Sequence, residues 1–147
     1  MSIAVDFDGT IVTHEYPQIG KPIPFAIETL VKLQEEHHRI ILWTAREGQL
    51  LEDAVDYCRK KGLEFYAVNS NYPEEQMLTE ALKPRKLTVD LFIDDRNLGG
   101  IPDWGQIYQM VHSGHPHQPL STDDTYQRKP RRKSLIERLQ DLQDRRR

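Results

Sequence analysis

Two acids spaced two residues apart close the first apolar run of the chain, Ser2-Ile3-Ala4-Val5-Asp6-Phe7-Asp8-Gly9-Thr10. A short apolar run bounded by turn residues reads as a buried strand, and alternation puts Asp6 and Asp8 on one face at its end. Where the chain leaves the strand, the Asp8 carbonyl and the amides that follow are free to bind a ligand. A turn accounts for one Asp before Gly. A second Asp at the end of an apolar strand is costly without a partner. Like charges this close disfavour ionisation of both, so the pair calls for a cation.

Other chemistry-bearing residues recur in the same setting. Arg39-Ile40-Ile41-Leu42-Trp43-Thr44 is an apolar run ending in a hydroxyl, with Arg46 two residues on. Val89-Asp90-Leu91-Phe92-Ile93 ends in Asp94 and Asp95, and Lys86 precedes it. Hard oxygen ligands favour Mg²⁺ over zinc. The single cysteine, Cys58, excludes an intramolecular disulfide and a cluster of thiolate ligands.

These residues need elements that bring them to one edge. Pro24 suits the first turn of a helix with Ile27, Leu30 and Val31 on its apolar face. Leu50, Leu51, Ala54, Val55 and Cys58 predict a second helix, stopped at Lys60-Lys61-Gly62. Leu63 to Val68 reads as a third strand. Glu74 and Glu75 open a short helix carrying Met77, Leu78, Ala81 and Leu82. Trp104, Ile107, Tyr108 and Val111 predict a last helix. Strands alternating with helices, and near-continuously apolar, imply an α/β fold, a Rossmann-like three-layer α/β/α sandwich with a central parallel sheet. In such sheets ligands bind outside the carboxyl ends of the strands, where Asp6, Asp8, Thr44, Arg46, Asp94 and Asp95 all fall.

At 147 residues the chain has single-domain length, and 37% hydrophobic with 29% charged residues fits a globular protein. No apolar stretch is long enough to span a membrane, and the first residues lack the plan of a signal peptide, so a cytoplasmic protein is expected. The net charge of -3 is uneven: residues 1–127 hold 11 Lys/Arg against 20 Asp/Glu, whereas residues 128–147 hold 9 against 3. An acidic body with a basic tail suggests an appended interaction segment. The boundaries read as a catalytic domain over 1–112, a polar linker over 113–133 and a basic helix or tail over 134–147.

Asp6-Phe7-Asp8-Gly9-Thr10 after an apolar strand, the strand ending in Thr44, a lysine before the last core strand, and the pair Asp94-Asp95 occur in an order that resembles the haloacid dehalogenase superfamily of phosphatases and phosphotransferases. The short gaps between these motifs resemble its capless subgroup, with no cap domain. The resemblance implies a Mg²⁺-dependent phosphohydrolase in which Asp6 attacks phosphorus to form an aspartyl-phosphate. Asp8 would serve as general acid and then base. Asp6, the Asp8 carbonyl, Asp94 and Asp95 would hold the metal, and Thr44 and Lys86 would grip the phosphoryl oxygens. Gly9, Thr10 and Arg46 join the expected substrate contacts. Lys83 competes with Lys86 for the lysine position, and Lys86 with Asp90 fits the spacing better.

Several residues have simpler explanations. His112, His115 and His117 lie in polar, Pro/Gly-rich sequence and read as linker. Cys58, Trp43 and Trp104 fit packing, Arg46 fits a helix-start surface arginine as well as a phosphate contact, and Asn69 and Asn71 fit a turn as well as a substrate contact. The basic run Arg128-Lys129-Pro130-Arg131-Arg132-Lys133 reads as a solvated segment. The expected partner is a phosphorylated small molecule or macromolecule, with nucleic acid reachable through the basic tail and a homo-oligomer possible; no membrane is expected. A nucleic-acid end phosphatase and a phosphate-binding interaction module without turnover are the competing readings.

Overall fold

The computed structural model describes residues 1–77 and 86–117. Four short strands, β1 (Ser2–Val5), β2 (Arg39–Leu42), β3 (Ala67–Val68) and β4 (Leu91–Ile93), form one sheet in the order β3-β2-β1-β4. Every pairing is parallel. Among the described residues three α-helices follow the apolar periods of the sequence: α1 (Ala26–Glu35), α2 (Gly48–Arg59) and α3 (Trp104–His112). The third strand is shorter than Leu63 to Val68. Leu63 instead closes the end of α2, its N–H donating to the Cys58 carbonyl at 3.1 Å while Gly62 takes a φ of 89°. This left-handed glycine followed by a buried apolar residue is a common helix stop.

Alternation along the strands splits the core in two. Ile3, Val5, Ile40, Leu42 and Ile93 face a large cluster built with α1, α2 and α3. Ala4 and Ile41 face the other way, into a smaller cluster with Ala67 and Leu87, against which Trp43, Val89 and Phe92 pack. The topology explains the split. From β1 to β3 the chain steps one way across the sheet, and from β3 to β4 it steps back over both inner strands. Right-handed crossovers in opposite directions lie on opposite faces, and Leu87 and Val89 of the return crossover do pack on the second face. The fold is therefore α/β with a central parallel sheet covered on both sides.

The return crossover opens with a 3-10 helix, Pro73–Met77. The remainder of the helix expected from Glu74 through Leu82 lies outside the described residues, as do Lys83, most of the linker after residue 113 and the expected terminal helix. Among the described residues no helix is long and apolar enough to cross a membrane.

Candidate functional site

The sheet register brings the strand ends level. Val5 pairs with Leu42 and Ile93, and Leu42 pairs with Val68. Three backbone bonds extend the ladder by one residue: Asp6 N–H to Ile93 O (3.0 Å), Trp43 N–H to Val5 O (2.8 Å) and Asn69 N–H to Leu42 O (2.8 Å). The residues that follow, Asp6, Thr44 and Asp94, line one open cleft of about 650 Å³ with Asp8, Arg46 and Tyr16.

Asp6, Asp94 and Asp95 converge there, each offering an oxygen within 4.8 Å of the others. Such a cluster could hold a metal ion. Asp95 Oδ1 is buried with no hydrogen-bond partner among the described residues, which is costly unless something else satisfies it. Its neighbours hold Asp95 in that place. The Asp95 N–H donates to Thr10 Oγ1 at 3.1 Å. A Cβ on Gly9, whose φ is 97°, would stand 2.4 Å from Asp95 Oδ2. Asp94 Oδ1 accepts the Arg96 N–H at 2.8 Å. Burial pushes the Asp6 carboxyl up to about 6, and Asp94, Asp95 and Asp8 push the same way against a backbone hydrogen bond at Phe7.

Gly9 and Thr10 therefore act on Asp95. Thr10 is fully buried, and the Gly9 N–H is spent on Val12 O at 2.7 Å, so the expected substrate contacts through these groups are replaced by a structural role.

Arg46 also takes a place other than the two expected. It is neither a surface arginine nor open to a ligand: its side chain is 1% exposed. Nε and Nη2 donate to Asp8 Oδ2 and Oδ1, both at 2.7 Å. Nη1 and Nη2 donate to the Pro17 and Gln18 carbonyls at 3.0 and 2.8 Å. The guanidinium lies over two rings, 5.0 Å from the centre of Phe7 and 5.3 Å from that of Tyr16. The hydrogen bonds it donates to Asp8 raise its pKa further. Asp8 is thus the anchor of a buried cation, with both its oxygens engaged.

Thr44 is held by Asn69, which accepts the Thr44 N–H through Oδ1 at 2.8 Å and donates Nδ2–H to the Thr44 carbonyl at 2.9 Å. Thr44 Oγ1 accepts the Arg46 N–H at 3.2 Å, leaving the hydroxyl proton free to donate elsewhere. Lys86 is exposed, its Nζ 5.9 Å from the centre of the Phe92 ring. Phe92 belongs to the second face of the sheet, and Lys86 is not among the residues lining the cleft.

No protein-family model and no curated protein matches the chain. A solved structure described as that of a conserved protein coded by a locus from Bacteroides thetaiotaomicron is 58% identical to it, with a TM-score of 0.71. The match covers 81% of this chain and 98% of the Bacteroides chain. This chain belongs to that protein's family. The likeness to the Bacteroides relative thus extends over nearly the whole length of that protein.

Three cleft residues escaped the sequence reading. His14 lines the cleft, with Nδ1 3.4 Å from the Asp8 carbonyl oxygen, and so do Tyr16 and Arg96. His14 and Tyr16 are carried there by a hairpin over 11–23, closed by Thr13 N–H to Lys21 O (2.8 Å) and Ile23 N–H to Ile11 O (2.9 Å). Gly20 allows it, since a Cβ there would meet Thr13 O at 1.9 Å. Pro17, Gly20 and Pro22 give this stretch the composition of a loop, and the long-range backbone bonds decide which of its side chains reach the cleft. Asn71, weighed as a substrate contact, is occupied: its Nδ2 donates to Glu75 Oε1 at 2.8 Å and its Oδ1 accepts the Thr88 N–H at 2.5 Å.

Proposed function

We propose that the protein is a Mg²⁺-dependent phosphohydrolase acting on phosphate monoesters through Asp6. The observation that carries this reading is the cluster of Asp6, Asp94 and Asp95 at the carboxyl edge of a parallel sheet, with one oxygen of Asp95 buried and unpartnered. An all-carboxylate donor set suits a hard divalent cation. Bound there, Mg²⁺ would supply the charge that lets an anionic phosphoryl group approach these carboxylates. The motif order that resembles the haloacid dehalogenase superfamily supports the same assignment.

In the proposed reaction an oxygen of Asp6 attacks phosphorus, the phosphorus–oxygen ester bond breaks, and the leaving alkoxide or aryloxide departs with the electron pair and takes up a proton from solvent water, since both oxygens of Asp8, the expected general acid, are engaged with Arg46. Water then attacks the phosphorus of the aspartyl-phosphate, releasing inorganic phosphate and restoring the carboxylate. The Thr44 hydroxyl is available to donate to a phosphoryl oxygen, and Asn69 keeps its backbone in place. Arg96, exposed on the same cleft, is a candidate for the cationic contact that Lys86 was expected to make.

A second reading, a phosphate-binding module with little turnover, is favoured by the engagement of both Asp8 oxygens with Arg46. Incubation with p-nitrophenyl phosphate and Mg²⁺, followed by acid quench and peptide mass analysis, separates the two. Steady release of p-nitrophenol that disappears in folded Asp6→Asn supports the phosphohydrolase. Phosphorylation of Asp6 without release of phosphate supports the module. Undiminished hydrolysis by Asp6→Asn would refute both.

A further inference from the structure

The cleft holds planar side chains beside the acids. Tyr16 is 54% exposed. The guanidinium of Arg46 lies over the Tyr16 ring at 5.3 Å and is itself tied to Asp8 and to the Pro17 and Gln18 carbonyls that follow Tyr16 in the hairpin. The ring thereby rests on a fixed guanidinium while the residue stays exposed. Trp43 lines the same cleft, packed against the Ala4 and Ile41 cluster and with its backbone N–H bonded to Val5 O at 2.8 Å.

Several polar groups beside these rings are already committed. The four side-chain hydrogen bonds of Arg46 are all internal. Both backbone groups of Thr44 are taken by Asn69. Among the described residues the Thr44 hydroxyl and Arg96 stay free but are assigned to the phosphate, and a polar group laid on the ring faces instead would lose its hydration without return. A flat aromatic group needs only ring faces held in place, and pre-ordered aromatic side chains provide them at small entropic cost.

We propose that the substrate is a phosphate monoester bearing a planar aromatic group, which stacks on Tyr16 and Trp43 while the phosphate meets the acid cluster through a divalent cation. This rests on the phosphohydrolase reading for the reaction, but the recognition can be measured without turnover. Phenylphosphonate and propylphosphonate, compared above the second pKa of both, carry the same charge and a carbon–phosphorus bond that this chemistry does not cleave. Titrated calorimetrically into the Mg²⁺-loaded full chain, phenylphosphonate should bind about tenfold more tightly, in line with the stacking of one ring on an aromatic side chain. Tyr16→Leu should reduce that preference severalfold, and Tyr16→Phe should retain it. Tyr16 is exposed in a loop, so neither change is expected to disturb the core.

Equal affinity for the two phosphonates, or no binding of either, would overturn the aromatic preference. So would a loss in Tyr16→Leu that falls equally on both ligands. A preference for phenylphosphonate that persists while phenyl phosphate is never hydrolysed would uphold the recognition and refute the phosphohydrolase. Hydrolysis of phosphate esters without that preference would do the reverse.

Discussion

Arg46 and Asp8, 38 residues apart in the chain, form a buried bidentate pair with both nitrogen–oxygen distances at 2.7 Å. The pair joins the turn after β1 to the segment after β2, and the Pro17 and Gln18 carbonyls add the hairpin to the same cation. Three separate stretches thus meet on one guanidinium. Its geometry depends on a planar fork of donors, which lysine lacks.

Breaking this pair should be expensive. Arg46→Met leaves the Asp8 carboxylate buried without its partner, and a loss of about 3–5 kcal/mol is expected from buried pairs broken on one side. Arg46→Lys should recover only part of it. Replacing both residues, Asp8→Leu with Arg46→Met, should cost less than Arg46→Met alone. Urea unfolding of the three variants measures this, and a change below about 1 kcal/mol for Arg46→Met would show that the pair contributes no more than a surface ion pair.

Gly9→Ala tests the metal cluster from its steric side. The added Cβ would stand 2.4 Å from Asp95 Oδ2, and the φ of 97° is itself unfavourable for alanine. Displacing Asp95 should weaken Mg²⁺ binding by tenfold or more, and the strained backbone should cost on the order of 1–3 kcal/mol. Mg²⁺ should raise the melting temperature of the wild type and raise that of Gly9→Ala much less. An equal rise in both proteins would place the ion elsewhere.

Asp6 makes the metal-free protein sensitive to pH in a definite direction. Its carboxyl rises from 3.8 to about 6 on folding, through burial first and neighbouring carboxylates next. A group that holds its proton more tightly when folded stabilises below its unfolded pKa and loses that contribution as pH rises through the folded value. In a chelator, the wild type should therefore lose on the order of 1–3 kcal/mol relative to Asp6→Asn between about pH 4 and pH 7. Adding Mg²⁺ at pH 7 should restore stability to the wild type, because binding favours the ionised form. Parallel denaturation profiles for wild type and Asp6→Asn across this range would refute the shift.

The sequence by itself determined the layout of this protein. The apolar runs ending at Val5, Leu42 and Ile93 and the helical periods through Leu30, Ala54 and Ile107 specify a parallel α/β sheet, because local periodicity is what strands and helices bury. The same reading reached Asp6, Asp94 and Asp95, since a charge at the end of a buried strand has few places to go. What depended on side chains arriving from far along the chain was decided by the tertiary structure alone. No local pattern distinguishes an arginine that meets solvent from one buried against an aspartate 38 residues away. Thr10 and Gly9 were legible as part of a motif, but that they serve Asp95 follows from the pairing of β1 with β4, which brings residues 85 positions apart within hydrogen-bonding distance. Tyr16 reached the cleft through a hairpin whose closure rests on long-range backbone bonds and a buried cation, and neither is written in the composition of a loop.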